Sequence, residues 1–350
     1  MSKQLSATSA AGFPETIRDA ETLEEILSRP DPILEAELQS LDGDIMVLGV
    51  AGKMGPSLAR MAKRAAPGKR VIGVARFSDP AAKAQIEAWG IEAVTCDLTD
   101  RAALAALPKA RNIVFMAGMK FGSGGDQPMT WALNTYVPGM VAETFTGSRI
   151  VAFSTGCVYP FVSVGQGGAT EDTPLDPPGE YANSCVGRER LFQYFSARHG
   201  TPGKLIRLNY AIDLRYGVLH DIAQTVREGK PVDLTTGHVN VLWQGDSNRY
   251  SLHALAHCTT PTTPLNITGP ETLSVKWLAT ELAARMGKPV TFSGEPAATA
   301  WLNNAAEAMR LFGKPQISVR QMLDWVADWV AADRPSLNKP TKFESRDGKY

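Results

Sequence analysis

"IMVLGVAGKMGPSLARMAKRA", residues 45–65, starts as a short apolar run, crosses three glycines and continues as an amphipathic segment of helix length. A turn of this composition between strand and helix lets backbone N–H groups approach a pyrophosphate, and the helix N-terminus adds favourable dipole charge. Gly49, Gly52 and Gly55 have G-x-x-G-x-x-G spacing rather than G-x-G-x-x-G. A tight turn without a ligand would use the same glycines, so the reading depends on the chain beyond residue 65.

That part of the chain holds a series of Val- and Ile-rich runs, "RVIGVA", "EAVTC", "NIVFMAG", "RIVAFS" and "GKLIRLN", each separated by a helix-length stretch. The alternation indicates β-α-β units and a parallel sheet covered on both faces. The expected fold class is α/β: a Rossmann-type doubly wound parallel sheet with a smaller, mixed α/β C-terminal substrate lobe. Four segments are expected. Residues 1–42 form an N-terminal helical extension, helical at Ala20–Ser28 and Pro32–Ser40, and residues 43–209 form the dinucleotide-binding domain. Residues 210–335, where the alternation loosens into Gly-, Pro- and Thr-rich sequence, are mainly the substrate lobe, and residues 336–350 are a polar tail.

The chain has 350 residues, 44% of them hydrophobic, with 36 Lys plus Arg against 36 Asp plus Glu. Zero formal charge gives no basic excess for nucleic acid or an anionic membrane, so the expected partner is a small molecule. Cys96, Cys157, Cys185 and Cys258 are scattered, without C-x-x-C pairs or histidines at ligand spacing. Neither a disulfide framework nor a metal site is expected. The acidic N-terminal segment lacks an apolar core, and no apolar run approaches the roughly 20 residues of a membrane helix. These features make the cytoplasm the expected location.

At the end of the second strand stand Ala75 and Arg76, where an acidic residue would bond the ribose 2′-OH of NAD and an arginine would receive the 2′-phosphate of NADP. With Lys53 and Met54 inside the glycine turn, Lys53 as a second cation, the expectation is NADP rather than NAD.

Several motifs then occur in order: "GVAGKMG", "CDLTD", "VFMAGMK", "LNTYVPG", "FSTGCVYP", "EDTPLDPPGEYANSC" and "LIRLNYAIDLRYG". As a set they resemble the extended short-chain dehydrogenase/reductases, the NAD(P)-dependent epimerase/dehydratase family that includes the UDP-galactose 4-epimerase type. The resemblance spans about Ile45 to Ser293. It implies that Asp97 and Leu98 contact adenine, that Ala117, Gly118 and Lys120 lie along the cofactor, and that Asn134 supports the site from the next helix. It also implies that Thr155 is the catalytic hydroxyl, that Tyr181 is the catalytic tyrosine, and that the chain forms a homodimer through the Asn134 and Tyr181 helices. The substrate implied is a sugar or sugar derivative, epimerised or dehydrogenated at a C–OH.

Oxidising an alcohol requires its hydroxyl proton to leave, and a tyrosine accepts it if the phenol pKa falls well below about 10. In the family a lysine one helical turn after the tyrosine lowers that pKa. Here that position is Cys185, a small and normally neutral thiol. Three readings remain open. Arg188, two turns along the same face, Lys120 or the nicotinamide charge could replace the lysine. Tyr181 could act mainly as a neutral donor, or Cys185 could join as an acid/base group, with a reaction that departs from the family's usual oxidation. Or redox activity could be lost, leaving a nucleotide-binding sensor or structural protein. Asn209 at a strand end, Tyr216 and Arg249 complete the expected substrate pocket.

Overall fold

The computed structural model describes residues 12–120, 122–123 and 125–348. Seven strands form the central sheet: β1 (Ile45–Leu48), β2 (Val71–Ala75), β3 (Glu92–Thr95), β4 (Asn112–Phe115), β5 (Arg149–Thr155), β6 (Gly203–Leu208) and β7 (Thr263–Ile267). Their spatial order is β7-β6-β5-β4-β1-β2-β3, and every pairing is parallel. The order reverses between β1 and β4, and at that switch point the carboxyl ends of the strands open a crevice where α/β sheets bind ligands. β1, β2 and β4 are buried along their whole length, which is why their sequences are continuous Val/Ile/Leu runs. The edge strand β3 is largely open to solvent and carries Glu92 and Thr95.

The sheet does not end at residue 209. After about fifty residues of the substrate lobe the chain returns to add β7 beside β6, in register from Thr263 with Lys204 to Ile267 with Leu208. The segment 210–335 therefore contributes to both sheet and lobe.

The N-terminal helices form where the sequence places them, α1 at Ala20–Leu27 and α2 at Pro32–Ser40. Each is capped by an aspartate side chain, Asp19 on the Thr22 N–H and Asp31 on the Leu34 N–H. Leu23, Ile26 and Leu27 of α1 enter the core of the substrate lobe, whereas Leu34 and Leu38 of α2 enter the core beneath the sheet. The extension thus joins the two cores of its own chain. The tail is docked as well: the Leu337 N–H donates to the Arg215 carbonyl, Phe343 is buried in the lobe's core, and Arg346 donates to the Thr299 carbonyl. Among the described residues no helix is long and apolar enough to cross a membrane.

Between β1 and helix α3 (Gly55–Ala65) the glycine turn makes close approaches that larger residues would block. Gly49 has φ +91°, and a Cβ there would lie 2.6 Å from the Ala117 amide nitrogen. At Gly55 a Cβ would meet the Val50 carbonyl oxygen at 2.2 Å. Gly49 keeps the crevice open between β1 and β4, and Gly55 lets α3 start directly against the strand.

Candidate active site

Two cavities adjoin at the carboxyl ends of the strands. The first, about 270 Å³, is lined by Gly49, Gly52, Arg76, Asp97, Leu98, Ala117 and Gly118 among others. These are residues expected to hold a cofactor. Asp97 is fixed by its acceptance of hydrogen bonds from the Thr99 backbone and hydroxyl, which hold its carboxyl below the usual range. A glycine cradle that a Cβ would fill, with a carboxylate at the third strand end, fits a dinucleotide.

The second cavity, about 160 Å³, lies over the ends of β5 and β6 and is lined by Thr155, Tyr181, Asn209, Tyr216 and Lys120. Tyr181 stands in the first turn of the long helix α4 (Gly179–His199). Thr155 and Cys185 are its side-chain neighbours. Burial pushes the phenol well above its ordinary pKa, the neighbouring cysteines push the same way, and Arg188 and Thr155 pull it back. Burial likewise raises Cys185, whose side chain is fully enclosed. In this setting Tyr181 is a phenol and Cys185 a thiol through the neutral range.

Arg188 does not reach the cavity. Its guanidinium donates to the Phe153 carbonyl at 2.6 Å, to the Asn134 carbonyl at 3.2 Å and to Asn134 Oδ1 at 2.8 Å. It acts as a strut joining α4, β5 and the wide helical turn Ala132–Tyr136, and exerts only a through-space pull on Tyr181. Gly118 belongs to the same arrangement, because a Cβ there would come within 2.5 Å of the Arg188 guanidinium. Lys120 lies elsewhere: its ammonium is 6.0 Å from the centre of the Tyr181 ring, and burial lowers its pKa while Cys157 and Cys185 oppose that.

Several expected contacts fall in other places. Asn134 is completely buried, donating to the Met119 carbonyl and Ser184 Oγ and accepting from the Met119 N–H, so it positions the loop rather than facing the cofactor cavity. Lys53 and Met54 leave the glycine turn on the other side and line the Tyr181 cavity. Lys53 sits 3.0 Å from the centre of the Tyr216 ring. Arg249 is removed from the substrate pocket altogether: its guanidinium pairs with Asp31 and Asp246 at 3.1 Å each and donates to the carbonyls of Phe312 and Lys314. A buried arginine placed between two carboxylates serves to join α2 to the lobe.

The sequence reading missed the group that sets the angle between Tyr181 and Thr155. Glu189 and Arg207 form an ion pair at 2.8 Å with side chains 0% and 4% exposed. Glu189 also accepts from the Ser154 hydroxyl at 2.6 Å, and Arg207 donates to the Tyr159 hydroxyl at 2.7 Å. The signal was present: Tyr181, Cys185, Arg188 and Glu189 share the inward side of one helix, and two charges there require partners.

A family model for the NAD dependent epimerase/dehydratase family matches residues 45–249. The chain belongs to that family. No curated protein sequence matches it significantly. Among solved structures it is similar to MoeE5 in complex with UDP-glucose and NAD, at 20% identity and TM-score 0.68, over 83% of this chain and 99% of that one. UDP-glucuronic acid 4-epimerase from Bacillus cereus, in complex with UDP-glucuronic acid and NAD, aligns at 18% identity and TM-score 0.68 over the same shares. UDP-glucose 4-epimerase from Thermotoga maritima aligns at 16% identity and TM-score 0.69, again over 83% and 99%. At these identities the neighbours show the Rossmann-type α/β fold.

The expectation of NADP is corrected by these findings: the family is NAD dependent, and solved neighbours carry NAD. The physical reason lies in the two cations that suggested it. Arg76 is exposed at the rim of the cofactor cavity, within the field of the Asp97 carboxylate, and Lys53 points away into the Tyr181 cavity. They do not converge on one phosphate.

Replacing Glu189 with Ala strands a buried guanidinium and should cost about 3–5 kcal/mol of stability by urea unfolding. A loss below about 1 kcal/mol would show that the pair does not hold α4 to the sheet.

Proposed function

We propose that the chain is an NAD-dependent oxidoreductase or epimerase acting at a C–OH of a carbohydrate-derived substrate by reversible hydride transfer. Bound NAD would supply the hydride acceptor on oxidation and the donor on return. Gly49, Gly52, Asp97, Leu98, Ala117 and Gly118 would hold it, with Arg76 at the rim. The observation that carries this reading is the placement of Tyr181 and Thr155 together on the wall of the second cavity, with Cys185 enclosed behind Tyr181.

Tyr181, as its phenolate, takes the hydroxyl proton as the carbinol C–O bond becomes a carbonyl, and as the phenol gives it back in the reverse direction. Thr155 donates to the same oxygen as its charge changes. A phenol raised by burial needs a nearby cation to accept that proton, and Lys120 is assigned this role in place of a lysine at position 185. Its ammonium lies on the Tyr181 side of the cavity, whereas Arg188 is committed to backbone carbonyls. The reading of a nucleotide-binding protein without turnover gains nothing from this arrangement, because a sensor has no need of a hydroxyl pair against the cofactor cradle.

A homodimer is part of the same reading. Met129, Trp131, Tyr136 and Tyr194, each at least 40% exposed, lie on the segment 127–144 and on α4, the elements that carry Asn134 and Tyr181. Light scattering should give twice the chain mass for the wild type and the single mass for Tyr136→Glu combined with Tyr194→Glu; a monomeric wild type contradicts the assignment.

Tyr181→Phe should retain NAD affinity, measured by fluorescence titration, and lose about 10²-fold or more in kcat/KM on a panel of sugars and sugar acids. Because burial keeps the phenol protonated, the proton-accepting form is scarce at neutral pH. The rate of oxidation should therefore climb with pH without a plateau below about pH 9. Turnover unchanged in the variant, or a rate independent of pH, contradicts Tyr181 as the proton-transfer group.

A further inference from the structure

The first turn of α4 carries Tyr181, yet the sequence gives that turn no cap. Pro178 occupies the N-cap position without a side-chain hydrogen bond, and the ties through Arg188 and Glu189 come two turns further on. Towards residues 127–136 the turn is held by the Trp131 indole N–H, which donates to Glu180 at 2.6 Å, and by the Asn134 amide, which donates to Ser184 Oγ at 3.0 Å. A further contact is Trp301, which packs in one buried cluster with Cys157, Ala182, Phe161 and Tyr181.

Trp301 is itself fixed by the site. Its indole N–H donates to the Tyr159 carbonyl at 3.0 Å, and its own carbonyl accepts from the Asn209 amide at 3.2 Å. Phe161 stacks on it with ring centres 4.3 Å apart and planes 27° from parallel. Over Phe161 lies Arg346 of the C-terminal tail, its guanidinium carbon 4.0 Å from the ring centre. The same guanidinium donates to the Thr299 carbonyl and hydroxyl at 2.8 Å each. Thr299–Ala300 pairs antiparallel with Val162–Ser163, the residues that follow Phe161, so Arg346 closes over both halves of that pairing.

Two residues later the tail meets the helix directly. A Cβ on Gly348 would lie 2.5 Å from the Pro178 carbonyl oxygen, and one on Gly179 would lie 2.7 Å from the Gly348 carbonyl oxygen. Only backbone fits between them. At its other end the tail is held by the substrate lobe: Thr341 donates its N–H and hydroxyl to Asp221 at 2.7 and 2.6 Å, Phe343 is buried in the lobe's core, and Thr341 forms part of the wall of the Tyr181 cavity.

We propose that the tail is a strap that couples the substrate lobe to the first turn of α4, with Arg346 as a positioning residue for Tyr181. This rests on Tyr181 as the proton-transfer group and adds the device that keeps it in place beside Thr155. No proton or hydride passes through Arg346. It acts through Phe161 and Trp301, whose packing against Tyr181 and Ala182 sets where the phenol stands.

The test is hydrogen exchange, read by mass spectrometry on the full chain with and without NAD. In Arg346→Ala the amides of residues 180–186 should exchange about 10-fold faster, while those of residues 190–199, beyond the Glu189–Arg207 pair, keep their wild-type rates. Gly348→Ala, which presses a Cβ onto the Pro178 carbonyl, should loosen the same amides. Any sugar that the wild type turns over should show a kcat about 10-fold lower in Arg346→Ala, with KM and NAD affinity within about twofold, because a displaced phenol slows the chemistry and leaves binding intact. The proposal is overturned if exchange at residues 180–186 is unchanged in either variant, if it rises equally along the whole of α4, or if the loss appears in NAD affinity rather than in kcat. Its failure stays separate from failure of the Tyr181 reading: exchange reads the strap without turnover, whereas Tyr181→Phe reads proton transfer alone.

Discussion

The buried pair between Glu189 and Arg207 is the constraint on which the site depends. It joins the middle of α4 to β6, and through Ser154 and Tyr159 it also holds the end of β5. Tyr181 lies two turns before Glu189 on the helix, and Thr155 comes directly after Ser154 in the strand, so the pair fixes the approach of the two hydroxyls. Arg188 adds a second attachment through the Phe153 carbonyl and Asn134. Two charges taken out of water return little net stability beyond an apolar substitute. Their value here is positional, because each end of the network stops next to a residue that faces the cavity.

Much of the fold was legible in the sequence because the sheet is buried on both faces. Continuous runs such as Ile45–Leu48 and Asn112–Phe115 have few alternatives to a parallel strand, and their alternation with helices sets the doubly wound order. β7 was harder to see. "TPLNI" holds a proline and an asparagine, since it is a sheet edge whose pairing is supplied by β6 alone. The tail's polarity leaves open whether it is disordered or covers a neighbouring site, and only the structure shows Phe343 buried and Thr341 bonded to Asp221.

Within the site, the glycine turn, Thr155 and Tyr181 were readable because local motifs place them. Lys53 and Arg249 were misplaced for the opposite reason. The direction of a side chain leaving a turn, or the partner of an arginine on a helix, is set by distant segments: Tyr216 beneath Lys53, and Asp31 of α2 beside Arg249. The cofactor preference failed with Lys53, since it assumed that two nearby cations in sequence share one ligand.

In the proposed mechanism, the charge near the tyrosine comes from Lys120 and not from position 185. Cys185 is buried and neutral, Arg188 is taken up by carbonyls, and Lys120 approaches from the loop after β4. A double-mutant cycle in kcat/KM at neutral pH tests this directly, using Lys120→Met, Cys185→Lys and the two combined. The account predicts that Lys120→Met loses activity by about tenfold for each unit by which the phenol pKa rises, that Cys185→Lys changes the wild type little, and that it restores activity when Lys120 is absent. Full activity in Lys120→Met, or a gain from Cys185→Lys that is equally large with and without Lys120, would contradict it.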